Sequence, residues 1–201
     1  MGQVGSSLES RRRKPESLAR LKLAARKLFV ERGYDATRPQ DIAREAGLGH
    51  GTFYLHYPDK RACFLSFVED ARQELDQHLR GRRQLAVTLN ERIATMLEGM
   101  YEYSDRHPGL LRAALTDECV IDAEGVSARP LVMQWGDEWA EMIREAVAEG
   151  KASAAYNVEI IGQAIVGALH QTGREAQCSG RCRQELVKNL TWFLTKALKP
   201  D

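Results

Sequence analysis

The sequence predicts an all-α protein, and three observations support this fold class. Apolar residues recur at spacings of three and four along most of the 201 residues, which is the period of a helix buried on one face. No stretch alternates apolar and polar residues as a half-buried strand would. Glycine, proline and capping residues fall between the periodic stretches, where helices end and begin. We therefore expect an N-terminal three-helix unit containing a helix-turn-helix, followed by a larger helical region.

The composition is that of an ordinary globular protein, with 43% hydrophobic and 28% charged residues. No stretch is long and apolar enough to span a bilayer, so no membrane partner is expected. The net charge of +1 hides an asymmetry, because residues 1–60 carry 12 Lys and Arg against 7 Asp and Glu. Residues 61–201 carry 17 against 21. The basic excess of the first part favours a polyanionic partner there.

The four cysteines occur without an N-terminal apolar signal segment. We therefore expect reduced thiols and a cytoplasmic location. No sequence pattern indicates a cofactor, and none is expected. The motifs H-E-x-x-H, G-x-S-x-G, the P-loop and the dinucleotide-binding loop are all missing, so the chain is not expected to be an enzyme.

Residues 1–15 predict a flexible basic arm, because they are rich in Gly and Ser, then basic, and lack a periodic apolar face. Such an arm is either a solvated tail or an extension that adds phosphate or minor-groove contacts to bound DNA. Residues 16–32 show apolar positions at helical spacing and predict the first helix, which ends at Gly33.

Residues 37–60 predict two short helices separated by a tight turn, the arrangement that places a helix in the major groove of DNA. Thr37 and Gln40 fit a capping box, and Pro39 falls in the first turn, where a missing N–H costs nothing. Gly47 is placed to end the first of these helices in the left-handed conformation. The residues expected to hold the two helices together are Ile42, Ala46, Leu48, Phe53 and Tyr57.

The remainder of the chain predicts further helices. Asp59 is a good N-cap for a fourth helix that ends near Arg80, and residues 81–83 are a plausible linker. The last two helices, at about 155–177 and 181–198, carry apolar residues around more than half of their circumference. So wide an apolar surface must be buried centrally or must meet another chain.

The pattern from Gly33 to Lys60 resembles the TetR family of bacterial transcriptional regulators. The matching residues are Gly33-Tyr34, Thr37 and Ile42-Ala43-x-x-Ala46-Gly47-Leu48-x-x-Gly51-Thr52-Phe53-Tyr54-x-His56-Tyr57-x-x-Lys60. The resemblance implies a helix-turn-helix DNA-binding domain at residues 16–60 and a helical effector-binding and dimerisation domain at residues 61–201. It also implies a homodimer, formed through the last two helices, on a palindromic double-stranded operator. Repression relieved by a small-molecule effector is the family's commoner mode.

The resemblance further implies that Tyr54 and Lys60 bind DNA phosphates. The other candidate DNA contacts are Arg38, Gln40, His50, Gly51, Thr52, Leu55 and His56. Three positions depart from the family pattern, since Arg38 stands where Thr is usual, Pro39 where Val or Thr is frequent, and Gly49 where Ser is usual. The contacts made at these three positions are therefore expected to differ from those of the family.

A largely apolar effector is expected to bind among the middle helices. The candidate contacts are Met96, Met100, Tyr103, Asp117, Trp135 and Trp139. Aromatic residues and methionines at helical spacing are also typical of an ordinary core, and this alternative stays open.

The spacing Cys178-x-x-x-Cys182 suggests an alternative function, a thiol-based redox or metal sensor. Zinc half-sites usually use C-x-x-C, and a zinc site needs about four ligands. No metal site is therefore predicted, and two ordinary thiols in an interhelical turn are the simpler interpretation.

Overall fold

The computed structural model describes residues 4–83, 86–115 and 130–200. Every regular element within these ranges is an α-helix, which confirms the predicted fold class. The helices are α1 (Val4–Arg32), α2 (Pro39–Glu45), α3 (His50–Tyr54), α4 (Lys60–Arg83), α5 (Leu89–Arg106), α6 (Leu110–Ala114), α7 (Leu131–Ala148), α8 (Val158–Ser179) and α9 (Arg183–Ala197). None of these helices combines the length and the apolar character needed to cross a membrane.

The helices form two compact units. The first contains α1, α2, α3, α6 and the N-terminal half of α4, and the second contains the rest of α4 with α5, α7, α8 and α9. The boundary between the two units therefore lies inside α4, whereas the predicted domain boundary falls after residue 60. The physical reason is that α4 contributes Phe64 and Phe67 to the core of the first unit.

Two helices are longer than predicted. α1 begins at Val4, so a helix replaces the flexible arm expected at residues 4–15. Leu8, Glu9 and the basic residues 11–14 are good helix formers, and Pro15 removes one backbone hydrogen bond without ending the helix. α4 likewise continues through residues 81–83, where a linker was expected, because a single glycine costs a helix only about 1 kcal/mol.

The core of the first unit is aromatic. Phe29 of α1 and Phe64 of α4 are fully buried, and their rings meet edge to face at 5.0 Å. Phe53 of α3 is also fully buried, and Ile42 and Ala43 of α2 are buried beside it, as predicted. This core fixes the two short helices against the longer α1 and α4.

The second unit contains a very close helix crossing. A Cβ atom built on Gly162 of α8 would lie 2.1 Å from the carbonyl oxygen of Gly136 on α7 and 2.9 Å from the backbone nitrogen of Ala140. Only a residue without a side chain fits at such a crossing. Gln163 adds a hydrogen bond from its side-chain amide to the Met133 carbonyl, at 2.9 Å.

The last two helices lie close to their predicted positions and are only partly covered. Leu186, Leu190 and Leu194 of α9 are buried. Ile160 of α8 is 67% exposed, and Trp192 and Phe193 of α9 are 64% and 58% exposed. The wide apolar surface predicted for these two helices therefore remains partly open in the single chain.

Candidate nucleic-acid interface

The turn between α2 and α3 has the predicted geometry. Gly47 adopts φ +64°, in the left-handed region, and its backbone N–H donates to the Arg44 carbonyl at 2.9 Å. The Leu48 N–H donates to the Ala43 carbonyl at 2.9 Å. These bonds occupy carbonyls at the end of α2, which would otherwise lack partners. α3 then begins directly after Gly49.

The capping box predicted for Thr37 and Gln40 is wrong. The N-cap of α2 is Arg38, which makes no side-chain capping bond, and Pro39 is the first helical residue. Thr37 is fully buried, and its hydroxyl donates to the Gly33 carbonyl at 2.7 Å. Its hydroxyl oxygen is also 3.3 Å from the Leu28 carbonyl. Thr37 therefore stabilises the end of α1, whose last carbonyls need donors, instead of the start of α2.

Most of the predicted DNA contacts are exposed on α2 and α3. Arg38 and Gln40 are exposed at the start of α2, and His50 and Gly51 are exposed in the first turn of α3. The predicted contacts at the other end of α3 are Tyr54, 49% exposed, and Leu55, 71% exposed, whereas Thr52 is half-buried. The rings of His50 and Tyr54 lie 5.2 Å apart, edge to face. Among the described residues, this face of α3 is open to solvent and therefore accessible to a DNA groove.

Lys60 is held in place by Tyr34, which the prediction did not include in the site. The Lys60 ammonium donates to the Tyr34 carbonyl at 3.0 Å and lies 4.0 Å from the centre of the Tyr34 ring. A cation at the first residue of a helix is opposed by the helix dipole, and the carbonyl and the ring face offset this repulsion. An ammonium has three N–H donors, so Lys60 keeps donors for a phosphate oxygen.

The start of α4 is capped as predicted. The Asp59 carboxylate accepts from the Ala62 N–H at 2.7 Å. This cap fixes the backbone at the position from which the Lys60 side chain emerges.

His56 is turned towards α1 instead of projecting freely beyond α3. Its Nε2 lies 2.8 Å from the Ser17 hydroxyl oxygen. The Ser17 hydroxyl donates its single proton to the Lys14 carbonyl at 3.0 Å, so the oxygen accepts from His56 Nε2–H. Burial lowers the pKa of His56, and the charge of Lys14 lowers it further. The half-buried ring is therefore neutral near pH 7.

The predicted effector contacts are mainly core residues of the second unit. Met96, Trp135 and Trp139 are buried and Met100 is half-buried. Tyr103 is buried, and its hydroxyl donates to the Glu74 carboxylate at 2.9 Å. Its ring lies 4.5 Å from that of His107. Asp117 falls outside the described residues.

The open groove between α8 and α9 involves none of the six predicted effector contacts. The residues that line it include Thr172, Leu186 and Phe193. Which residues line an effector pocket therefore stays a prediction.

The cysteines differ in chemistry. Cys63 is buried on α4, and burial raises the pKa of its thiol to about 12, which makes the thiol unreactive at neutral pH. Cys178 near the end of α8 and Cys182 at the N-cap of α9 are both exposed. In the part of the chain that the structure describes, no three metal-binding side chains come together. Cys119 lies outside those residues.

Comparison with known proteins identifies relatives of the N-terminal part. Residues 23–67 match the family model described as bacterial regulatory proteins, tetR family. The uncharacterised HTH-type transcriptional regulator YerO of Bacillus subtilis (strain 168) is 31% identical over 86 residues, which are 39% of this chain and 29% of that protein. The chain spans less than a third of the length of the first curated relatives that it matches.

Solved structures share the fold along most of the chain. The fatty acid degradation regulator FadR from Bacillus halodurans has a TM-score of 0.72 at 18% identity, covering 88% of this chain and 93% of that one. A gamma-butyrolactone receptor described as ArpA-like has a TM-score of 0.60 at 20% identity, covering 92% and 98%. At this level of identity, the likeness establishes the fold.

Proposed function

We propose that the chain, whose residues 23–67 match the model of the tetR family of bacterial regulatory proteins, is a ligand-responsive transcriptional regulator. It binds a palindromic double-stranded operator in the cytoplasm as a homodimer, represses transcription, and is released by a small-molecule effector. The observation that carries this proposal is the exposed face of α3, followed in the chain by an ordered cation, Lys60, at the start of α4.

Two kinds of DNA contact follow from this surface. Tyr54 and Lys60 bind phosphate oxygens, which fix the protein on the duplex without reading its sequence. His50 and Leu55 face the bases, where the 71% exposed Leu55 suits a thymine methyl group. Arg38 and Gln40 supply further polar groups from the start of α2.

The homodimer forms through α8 and α9. The exposed stripe of α8 contains Ile160, Ala164 and Gly167, spaced at four and three residues. A Cβ atom at Gly167 would meet nothing within 4 Å, so a partner helix can approach closely there. Trp192 and Phe193 of α9 add two large aromatic side chains of the kind that anchor protein interfaces.

The effector is a largely apolar small molecule. Two proteins with this fold, a fatty acid degradation regulator and a gamma-butyrolactone receptor, support this class of ligand. Met96, Met100, Tyr103, Trp135 and Trp139 are the candidate contacts, together with Asp117. The effector acts only if it binds the DNA-free conformation more tightly than the DNA-bound one.

The test is the DNA affinity of Lys60→Ala. Duplexes selected by the native protein from a random library, and a random-sequence duplex of equal length, serve as probes. We expect the variant to bind both about tenfold more weakly, and the slope of log affinity against log salt to fall by about one. Lys199→Ala removes the same charge from an exposed position outside the first unit and is the control. Unchanged affinity and slope for Lys60→Ala would contradict this mode of DNA binding.

The thiol-sensor alternative rests only on the exposure of Cys178 and Cys182. We expect the variant with both cysteines replaced by Ser to bind the selected duplex like the native protein, before and after treatment with hydrogen peroxide. A peroxide response that is present in the native protein and lost in the variant would favour the alternative.

A further inference from the structure

Two polar side chains of α1 contact the chain on either side of α3. Arg20 donates from Nη2 to the Gly47 carbonyl at 3.2 Å, in the turn before α3. Ser17 accepts from His56 Nε2 at 2.8 Å, just after α3 ends. Residues three apart lie on the same face of a helix, so one face of α1 supports both ends of α3.

The contact at Gly47 has a steric side as well. A Cβ atom on Gly47 would lie 2.7 Å from Arg20 Nη2, so the guanidinium occupies the space that a side chain would take. The glycine therefore serves two needs, the positive φ of the turn and the close approach of Arg20. A third contact extends the support to the end of α2, where Lys27 pairs with Glu45 at 2.6 Å.

We propose that Arg20 and Ser17 are positioning residues for DNA recognition, which set the orientation of α3 and thereby the preference for the operator over other sequences. This inference rests on the proposed function. Base contacts depend on the angle of the reading helix, whereas phosphate contacts tolerate small changes of angle. Loss of Arg20 or Ser17 therefore reduces selectivity more than it reduces general DNA affinity.

The closing experiment compares Arg20→Ala with the native protein on the selected duplex and on the random-sequence duplex. We expect about tenfold weaker binding to the selected duplex, as for the loss of one hydrogen bond from a charged donor. Binding to the random duplex and the salt slope stay unchanged. Arg20→Lys keeps a donor within reach of the Gly47 carbonyl, and it restores most of the selectivity.

Three further variants separate positioning from charge and from folding. Arg32→Ala removes the same charge from the last turn of α1, and we expect it to leave selectivity unchanged. Ser17→Ala is expected to lower selectivity several-fold, whereas Ser17→Thr, which keeps the hydroxyl, is expected to retain it. Thermal unfolding of each variant, with the midpoint close to that of the native protein, shows that the fold is intact.

Three results would overturn the inference. If Arg20→Ala weakens binding to both duplexes equally and lowers the salt slope by about one, Arg20 is a phosphate contact. If neither Arg20→Ala nor Ser17→Ala changes selectivity, the two residues do not position α3. If the native protein enriches no sequence from the random library, the proposed function fails together with this inference.

Discussion

The two compact units hold their helices together by different means. In the first, single polar side chains fix the ends of helices, as Thr37 does at the end of α1 and Arg20 at the turn before α3. In the second, α7 and α8 meet through the bare backbones of Gly136 and Gly162. A single hydrogen bond contributes about 1 kcal/mol, whereas a close-packed crossing tolerates almost no added volume. Single side-chain changes can therefore adjust the helix ends of the first unit. The α7–α8 crossing of the second unit does not accommodate such changes.

The largest expected effect is that of Gly162→Ala. The added methyl group would lie 2.1 Å from the Gly136 carbonyl oxygen, and backbone cannot move aside as a flexible side chain can. We expect the free energy of unfolding, measured by urea denaturation, to fall by about 3 kcal/mol.

The matched control for this change is Gly81→Ala in α4, where an added Cβ meets nothing within 4 Å. We expect it to raise the free energy of unfolding by up to about 1 kcal/mol, because alanine loses less conformational freedom in a helix. Equal effects of the two changes would show that the α7–α8 crossing is looser than described.

A smaller effect is expected from Gly47→Ala in the first unit. Its matched control is Gly33→Ala, because Gly47 and Gly33 both have positive φ, +64° and +78°. An added Cβ atom would contact the Arg20 guanidinium at Gly47, whereas at Gly33 it would meet nothing within 4 Å. We expect each to cost about 1–2 kcal/mol from backbone strain, and Gly47→Ala to cost up to about 1 kcal/mol more, because the displaced guanidinium loses its hydrogen bond to the Gly47 carbonyl.

Combining Gly47→Ala with Arg20→Ala should remove that excess, which a double-mutant cycle of unfolding free energies measures. Strict additivity of the two changes would mean that Arg20 moves away at no cost. The steric part of its positioning role would then be lost.

The smallest expected effect concerns pH. Burial lowers the pKa of His56 in the first unit and of His78 in the second. A histidine with a lowered pKa in the folded state takes up a proton first in the unfolded chain. Stability is therefore lost as the pH falls below about 6.5, the usual value of the unfolded residue.

Urea denaturation at pH 7.5 and pH 5.5 measures this loss for the native protein and for His56→Gln and His78→Gln. Each variant should lose less stability over this interval than the native protein. If a variant loses as much stability as the native protein, the histidine that it lacks has the same pKa in the folded and unfolded states.

Features with a local cause could be predicted from the sequence. The left-handed turn at Gly47, the place of Pro39 in the first turn of α2 and the burial of Phe53 follow from neighbouring residues, and the structure has all three. Thr37 was assigned to the wrong helix because a hydroxyl between two helices can serve either one, and only the tertiary structure decides. The resemblance to a known family supplied Lys60, although not the Tyr34 carbonyl that holds it.

Features with a distant cause could not be predicted. Ser17 and His56 are 39 residues apart, and Arg20 and Gly47 are 27 apart, so no local pattern joins them. From the sequence alone, Gly136 and Gly162 are simply destabilising residues within helices. Their packing role is visible only from the crossing of α7 and α8. The length of α1 was underestimated because a helix that continues from a buried segment needs no apolar face of its own.

If Lys60 binds a DNA phosphate as proposed, its contact with Tyr34 affects the rate of DNA release. An exposed lysine loses up to about 2 kcal/mol of side-chain entropy when it is immobilised. Here the carbonyl and the ring of Tyr34 already restrict the Lys60 side chain in the DNA-free protein. Much of that entropy loss therefore occurs on folding and not on binding, so the proposed phosphate contact retains more of its strength. A pre-ordered contact of this kind prolongs the lifetime of the complex more than it hastens the first encounter.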